Sequence, residues 1–157
     1  MGITGIAVVL LRLSKKEMSA IEAVLDVALH GGGALVQSAD ITERQGIPPR
    51  YLEPILQRLG RAGILVGIRG PSGGYRLALE RRRITLWDLV IAARAGDNED
   101  ARAQKVGTPG PVLQAVLSDL EDQLKKTLQS VTIEDLCWKM KGEKIARARR
   151  ARPDFAI

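Results

Sequence analysis

The chain has 157 residues, of which 45% are hydrophobic and 27% are charged, a composition that excludes a disordered protein and allows one globular domain with an extension. Aromatic residues make up only 3%, so Leu, Ile, Val and Ala must fill the core, which favours helices. The single cysteine excludes an intramolecular disulfide framework and fits a reducing cytoplasm. With only one histidine besides, the chain cannot form a Cys/His zinc site by itself.

The formal net charge of +6 is unevenly distributed along the chain. Residues 1–91 carry a net charge of +4, residues 92–135 carry −3, and residues 136–157 carry +5. A basic front, an acidic middle and a basic end favour a nucleic-acid-binding face that is separate from an interaction segment. On charge alone, an ordinary solvated surface with a positive end remains the alternative.

Residues 1–13 are expected to form an N-terminal extension that packs on a neighbouring element or on a partner. They contain a short apolar run from Ile6 to Leu11. This run falls well below the roughly 20 residues that a membrane-spanning helix needs. Neither a basic region before it nor a small-residue cleavage site after it indicates a signal peptide, so no membrane association is predicted.

Residues 14–95 are predicted to form one domain that begins with three helices. Ser14, with a glutamate three residues later, forms a capping box before the first helix, and the glycines at 31–33 end it. A short second helix begins at Ser38. After a tight glycine-containing turn, a third begins near Pro49, whose fixed φ suits a first helical position.

The next segment changes from helical to strand-like periodicity. Residues 64–69 and 75–79 are predicted to be two short strands joined by the sequence Gly-Pro-Ser-Gly-Gly. The capping pattern of Thr85 and Asp88 then begins a fourth helix. Three helices followed by a hairpin is the order of a winged helix-turn-helix, so the predicted fold is mainly α with a small β-hairpin.

The rest of the chain is predicted to contain a loop, helices and a tail. The loop covers residues 96–111, a long dimerisation helix and a short final helix cover 112–138, and a basic tail covers 139–157. A capping pattern at Thr132 marks the start of the final helix. The tail either adds nonspecific affinity for DNA or is a disordered, solvated end.

The third helix has an exposed face with side chains suited to reading base pairs. Arg50, Glu53, Gln57 and Arg61 follow one another at spacings of three or four residues. Arginine can donate to guanine, glutamate can accept from the amino group of cytosine, and glutamine can pair with adenine. A solvated face of mixed charge is the alternative, but the preceding turn and the following hairpin favour DNA binding.

The hairpin carries the second indication of DNA binding. Arg69 and Arg76 flank its turn and can neutralise phosphates. Ser72, Gly73 and Gly74 lie in the turn, where glycines let the backbone approach a phosphate or enter the minor groove. A nucleotide-binding P-loop is excluded, because the Lys-Ser/Thr pair is missing and no helix follows the glycines directly.

Several runs together resemble the IscR/NsrR/CymR family of winged helix-turn-helix regulators over roughly residues 12–137. They are Ala23 to Leu29, Glu43 to Ile47, Tyr51-Leu52-Glu53, Leu59-x-x-Ala62-Gly63, Arg69-Gly70-Pro71-x-Gly73-Gly74-Tyr75-x-Leu77, and Thr132-x-x-Asp135-Leu136. The resemblance implies a homodimer in which the long helix from Val112 crosses between subunits. It also implies that Glu53 reads cytosine-bearing pairs, that Arg69 contacts DNA, and that the wing enters the minor groove.

Two features depart from this family. Many members hold an iron–sulfur cluster on three cysteines in the loop before the dimer helix, whereas residues 92–111 contain no cysteine here. We therefore expect no cofactor, since Cys137 alone cannot supply a multi-thiolate site. Pro54 lies inside the third helix and removes an amide donor, so a slight kink is expected.

The long helix is predicted to be a dimer interface because its apolar stripe is longer than the three-helix N-terminal domain can cover. The stripe consists of Leu113, Val116, Leu117, Leu120, Leu124 and Leu128. Packing within one chain is the alternative. Two heads on a symmetric dimer predict a pseudo-palindromic DNA operator.

Cys137 is expected to be a buried structural thiol, with a redox switch as the less favoured interpretation, and Trp138 is expected to pack the final helix onto the head. No set of catalytic residues or cofactor motif predicts an enzyme. The sequence therefore predicts a transcription regulator that binds double-stranded DNA, with repression favoured over activation but not determined. It leaves open whether the signal is a small-molecule effector, a protein effector or oxidation of Cys137. A winged-helix adaptor that binds proteins without reading DNA is the alternative.

Overall fold

The computed structural model describes residues 13–95 and 110–151. In this part of the chain there are six α-helices and one antiparallel pair of strands. In order they are α1 (Lys15–His30), α2 (Ser38–Gln45), α3 (Pro49–Arg61), β1 (Leu65–Ile68), β2 (Gly74–Leu77), a 3₁₀ turn (Arg81–Arg83), α4 (Leu86–Arg94), α5 (Pro111–Gln129) and α6 (Ile133–Ala151). The predicted mainly helical fold with a small hairpin is confirmed. The apolar run at 6–11 and most of the predicted loop at 96–111 lie outside the described residues.

Helix α1 is the central element of the domain. Its predicted capping box is present: the Ser14 hydroxyl accepts a hydrogen bond from the Glu17 amide at 3.2 Å, and the Glu17 carboxylate accepts one from the Ser14 amide. One side of the helix is completely buried, with Ala20, Ala23 and Val24 at 0% exposure. This side packs against α3, α4 and α6, so burial of apolar surface on three neighbours holds α1 in place.

Helices α2 and α3 form the helix-turn-helix unit. Gly46 ends α2 with a φ of 65°, a left-handed conformation that favours glycine, and Pro49 occupies the first turn of α3 as predicted. The buried stripe of α3 consists of Leu52, Ile55, Leu56 and Leu59. The helix continues through Pro54, which lies on the exposed side.

The hairpin pairs Leu65 with Leu77 and Gly67 with Tyr75. An unpredicted third segment joins its outer edge, where Val36 and Tyr75 exchange backbone hydrogen bonds of 2.9 and 2.8 Å. A β-carbon at position 74 would lie 2.6 Å from the Val36 carbonyl oxygen, so only glycine allows this approach. The segment around Val36 thus ties the hairpin to the start of α2.

The end of the chain differs from its prediction. Helix α6 does not stop near residue 138 but continues to Ala151, so residues 139–151 are helical and the disordered alternative for them is wrong. Trp138 does not pack the helix onto the head, because its side chain is 67% exposed. The buried face of α6 is formed by Ile133 and Cys137, one helical turn apart, and the next residue points away from it. None of the described helices is long and apolar enough to cross a membrane.

Two buried carboxylates on α1 bind arginines from distant parts of the chain. Asp26, 1% exposed, accepts hydrogen bonds from Arg44 Nε and Nη2 at 3.0 and 2.7 Å and from Gln45 Nε2 at 3.1 Å. Burial raises the pKa of Asp26, but these hydrogen bonds and the charge of Arg44 outweigh it, so the pKa lies below its ordinary value. Near the other end of α1, Glu17 accepts from Arg94 at the end of α4.

We expect Asp26→Asn to lower the free energy of unfolding by about 2 kcal/mol, because it leaves the guanidinium of Arg44 without its counter-ion. Since folding lowers the pKa of Asp26, its ionised form stabilises the fold at pH values above its unfolded pKa. This stabilisation is lost as the pH falls through the folded pKa. Urea denaturation at neutral and at acidic pH measures both effects.

The matched control is Glu22→Gln, which changes an exposed carboxylate on the same helix. We expect its unfolding curve to stay close to that of the unchanged protein. Equal stability of Asp26→Asn and Glu22→Gln at neutral pH would contradict the role assigned to the buried pair.

Candidate nucleic-acid interface

The exposed face of α3 presents the four predicted polar side chains. Arg50, Glu53, Gln57 and Arg61 are all exposed, on the side of the helix away from its buried leucines and isoleucine. This arrangement follows from the helical period, which places residues three or four apart on one side. The face can therefore enter a groove without disturbing the core.

Clefts on both sides of the hairpin connect this face to the wing. Glu53 lies on a cleft of about 250 Å³ that also borders Ser38 and Tyr75. Gln57 and Arg61 lie on a second cleft, with Arg69 at the end of the hairpin. Each cleft thus joins the exposed face of α3 to the hairpin.

Arg69 lies at the junction of the wing and the helix-turn-helix unit. It borders the cleft shared with Gln57 and also a cleft of about 420 Å³ that reaches Ser38 at the start of α2. Ser72 is exposed at the tip of the hairpin. Both side chains are accessible to a DNA backbone that passes over this surface.

The glycines of the wing have a structural requirement of their own. A β-carbon at Gly73 would lie 2.2 Å from the Ile68 carbonyl oxygen, and one at Gly74 would collide with the Val36 carbonyl. The chain therefore needs glycine at both positions to close the hairpin, whatever the hairpin binds. The glycine pattern alone is not specific for DNA.

Arg76 is not brought together with the other predicted contacts. It pairs with Val66 on the solvent face of the hairpin, whereas the adjacent Tyr75 lies on the opposite face beside Glu53. Arg76 borders a different cavity, next to the glycine turn after α1 and to Arg81. Sequence spacing could not reveal this separation, because it depends on which other elements pack beside β2.

The sequence did not predict one contact at the start of α3. The Arg50 guanidinium lies over the ring of Tyr51, 4.9 Å from the ring centroid, and Tyr51 is 58% exposed. A cation–π contact at an exposed site contributes about 0.5–1 kcal/mol. It restricts the positions of Arg50 before any base is contacted.

The apolar stripe of α5 is largely exposed in the single chain. The exposed fractions are 54% for Leu113, 50% for Val116, 42% for Leu117, 54% for Leu120 and 38% for Leu124. Leu128 differs, because it is buried within its own chain at 9% exposure. It therefore belongs to the packing within the chain and not to the free stripe.

Cys137 is a free thiol in the hydrophobic core, with an exposed fraction of 3%. Burial raises its pKa, and the positive charges of Arg81 and Lys141 only partly oppose this effect. The thiol is therefore protonated at neutral pH, a state that reacts poorly with oxidants. These properties favour the structural interpretation over the redox one.

Comparisons with known proteins agree with this geometry. The Rrf2 family, described as iron-dependent transcriptional regulators, matches residues 13–139. The HTH-type transcriptional regulator IscR of Vibrio cholerae is 34% identical over 133 residues, which cover 80% of this chain and 75% of that protein. IscR of Escherichia coli O1:K1 is 35% identical over 129 residues, which cover 80% of each.

Solved structures give the same result. IscR of T. potens superimposes with a TM-score of 0.67 at 28% identity, covering 82% of this chain and 87% of that one. CymR of B. subtilis, described as the global cysteine regulator, superimposes with a TM-score of 0.66 at 25% identity, covering 81% and 96%. The family resemblance predicted from the sequence is confirmed. This chain belongs to the Rrf2 family, and it is a DNA-binding transcriptional regulator and not an enzyme.

Proposed function

We propose that this regulator is a cytoplasmic homodimer that represses transcription by binding a pseudo-palindromic operator. The observation that carries the proposal is the cleft that Gln57 and Arg61 of α3 share with Arg69 of the hairpin. A helix that buries one apolar stripe and presents basic, acidic and amide side chains on the other side suits the major groove.

Base readout is assigned to three side chains of α3. Arg50 donates to guanine, Glu53 accepts from the cytosine amino group, and Gln57 pairs with adenine. All three are exposed, so no rearrangement of the core is needed for them to reach base edges. Arg61, at the end of the helix, is assigned to the same surface.

The wing is assigned to the phosphate backbone and the minor groove. Arg69 supplies the positive charge, and Ser72 with the backbone of Gly73 and Gly74 supplies polar groups at the tip. Contacts of this kind fix the position of a protein on the duplex but carry little sequence information. Arg76 is not included, because it borders a cavity other than the clefts that contain Glu53, Gln57 and Arg69.

Dimerisation is assigned to α5. Five apolar side chains on one side of this helix are at least 38% exposed, and an apolar face of that length favours burial against an identical helix. A two-fold axis through α5 gives two recognition helices related by the same axis. Such a dimer binds half-sites about 34 Å apart, or a multiple of this distance.

Repression follows from the simplest action of a dimer with two DNA-binding domains, which is to occupy a promoter and exclude the polymerase.

The adaptor alternative is disfavoured by the polar character of the α3 face, since a protein-docking surface would present an apolar patch there. The two functions differ in salt dependence. A DNA regulator loses affinity for duplex DNA steeply as salt rises, whereas an adaptor does not bind it.

The residues of this chain do not fit an iron–sulfur cluster, although the family is described as iron-dependent. A cluster site takes several thiolates, and the only thiol here is buried in the head with a raised pKa. Among the described residues, no three His, Cys, Asp or Glu side chains are grouped as metal ligands. Two subunits together would supply only two thiols, so the proposed mechanism uses no cluster.

We expect Glu53→Ala to relax selectivity at one base pair in each half-site by about 1–3 kcal/mol, because the acceptor for the cytosine amino group is removed. The operator is first identified by in vitro selection with the unchanged protein. Fluorescence anisotropy on this operator and on its single-base variants then measures selectivity.

The control is Glu22→Ala, which removes an exposed carboxylate on α1 that borders none of the clefts assigned to DNA. We expect it to leave the ranking of the operator variants unchanged. The same ranking for Glu53→Ala would refute base readout by this residue while leaving DNA binding itself intact.

We expect Leu120→Asp to convert the dimer to a monomer of 17.1 kDa, because a charge at the centre of the stripe cannot be buried against its two-fold mate. Sedimentation velocity measures the mass. Ala115→Asp is the matched control, since it places the same charge on the opposite, exposed side of α5. A dimer in both variants would place the interface elsewhere.

We expect protein purified without air to be colourless and to contain neither iron nor sulfide in proportion to the chain, because it lacks the thiolates for a cluster. The absorption spectrum and elemental analysis check this. A brown protein whose visible absorbance bleaches in air would overturn the assignment.

A further inference from the structure

A cavity of about 540 Å³ lies at the base of the hairpin and shares no lining residue with the clefts assigned to DNA. It is bounded by the end of α1, the glycine turn at 31–33, β2 and the 3₁₀ turn. Val27, Ala28 and Leu77 contribute apolar surface, and Arg76 and Arg81 contribute the charged groups. No acidic side chain lines it.

Arg76 and Arg81 are not neutralised by the described part of the protein. Three other arginines have carboxylate partners: Arg44 binds Asp26, Arg82 binds Glu80, and Arg94 binds Glu17. The guanidinium groups of Arg76 and Arg81, like those of several other exposed arginines, make no hydrogen bond or ion pair to any described residue. Two unpaired positive charges on one cavity create a local preference for an anion.

The glycine turn adds hydrogen-bond donors to this cavity. Gly31 has right-handed backbone angles, with φ −64° and ψ −44°, and Gly32 and Gly33 have φ of 42° and 96°. A right-handed residue followed by a left-handed one turns successive amides toward a common side, as in anion-binding nests. Within the described chain, the amides of Gly32 and Gly33 donate to no backbone carbonyl.

The end of α1 also contributes its carbonyl groups to this region, and they oppose an anion. A helix end carries the equivalent of roughly half a negative charge, and this effect is screened by water at an exposed terminus. Two guanidinium groups carry two full positive charges and can form bidentate hydrogen bonds. The balance at the cavity therefore favours an anion.

We propose that this cavity binds a small organic anion, with its carboxylate or phosphate group held by Arg76 and Arg81. The cavity is larger than one inorganic ion requires, and its apolar side can accept a short carbon skeleton. The site goes beyond the proposed DNA function, since it would give the regulator an effector. It also assigns a role to Arg76, which borders this cavity and neither of the clefts beside α3.

The test uses the full-length protein without DNA. Inorganic phosphate, acetate, hexanoate and benzoate are titrated by calorimetry, and the amide signals of Gly32 and Gly33 are followed by NMR. We expect at least one organic carboxylate to saturate at one per chain and to shift both amide signals. Arg76→Gln and Arg81→Gln should each weaken this binding about tenfold, the usual effect of losing a charged hydrogen bond.

Arg82→Gln is the matched control, because Arg82 lies beside Arg81 but is already paired with Glu80 at 2.6 Å. It should bind the same carboxylate as the unchanged protein does. Arg76 is exposed, so Arg76→Gln keeps the test valid if Arg81→Gln fails to fold. Circular dichroism checks the fold of each variant.

Three outcomes would overturn the proposal. The first is that no probe saturates. The second is that binding is equal in all three variants, which indicates an adventitious ion only. The third is that Arg76→Gln and Arg81→Gln weaken operator binding but bind the organic carboxylate as tightly as Arg82→Gln does, which assigns the arginines to the DNA backbone. Because the operator test of Glu53 is separate, none of these outcomes bears on base readout.

Discussion

The position of the helix-turn-helix unit, α2 and α3, depends on the buried carboxylate of Asp26. This group is 1% exposed, and a buried charge is stable only if it is fully hydrogen-bonded. Arg44 and Gln45, at the end of α2, supply its partners. Because α3 packs on α2, the orientation of the recognition helix follows from an interaction on the far side of the helix-turn-helix unit.

A second buried carboxylate, that of Glu17, binds an arginine near the other end of α1. Its carboxylate, buried at 2% exposure, binds Arg94 at the end of α4. Helix α4 in turn contacts α5, where Lys125 lies 5.4 Å from the centre of the Trp87 ring. Helix α4, which contacts both α3 and α5, thus connects the helix-turn-helix unit to the helix assigned to dimerisation. In the proposed dimer, these packed elements set the separation of the two helix-turn-helix units.

Local signals made most of the fold predictable from the sequence. The capping box at Ser14 and the left-handed glycine after α2 act over a few residues, so their effects can be read directly. The ion pairs could not be predicted, because Asp26 and Arg44 are 18 residues apart and Glu17 and Arg94 are 77 apart. The strand-like segment at Val36 was missed for the same reason, since only its partner on β2 makes it a strand.

The candidate site was predictable where it depends on one helix and unpredictable where it depends on packing. The four polar residues of α3 follow from helical periodicity alone, whereas the separation of Arg76 from Arg69, which border different cavities, depends on how other elements pack around the hairpin. This packing has a consequence for regulation. Tyr75 borders the Glu53 cleft, and its neighbour Arg76 borders the cavity that it shares with Arg81. An anion that holds Arg76 would therefore act directly on the strand beside the reading surface, with no longer path through the protein.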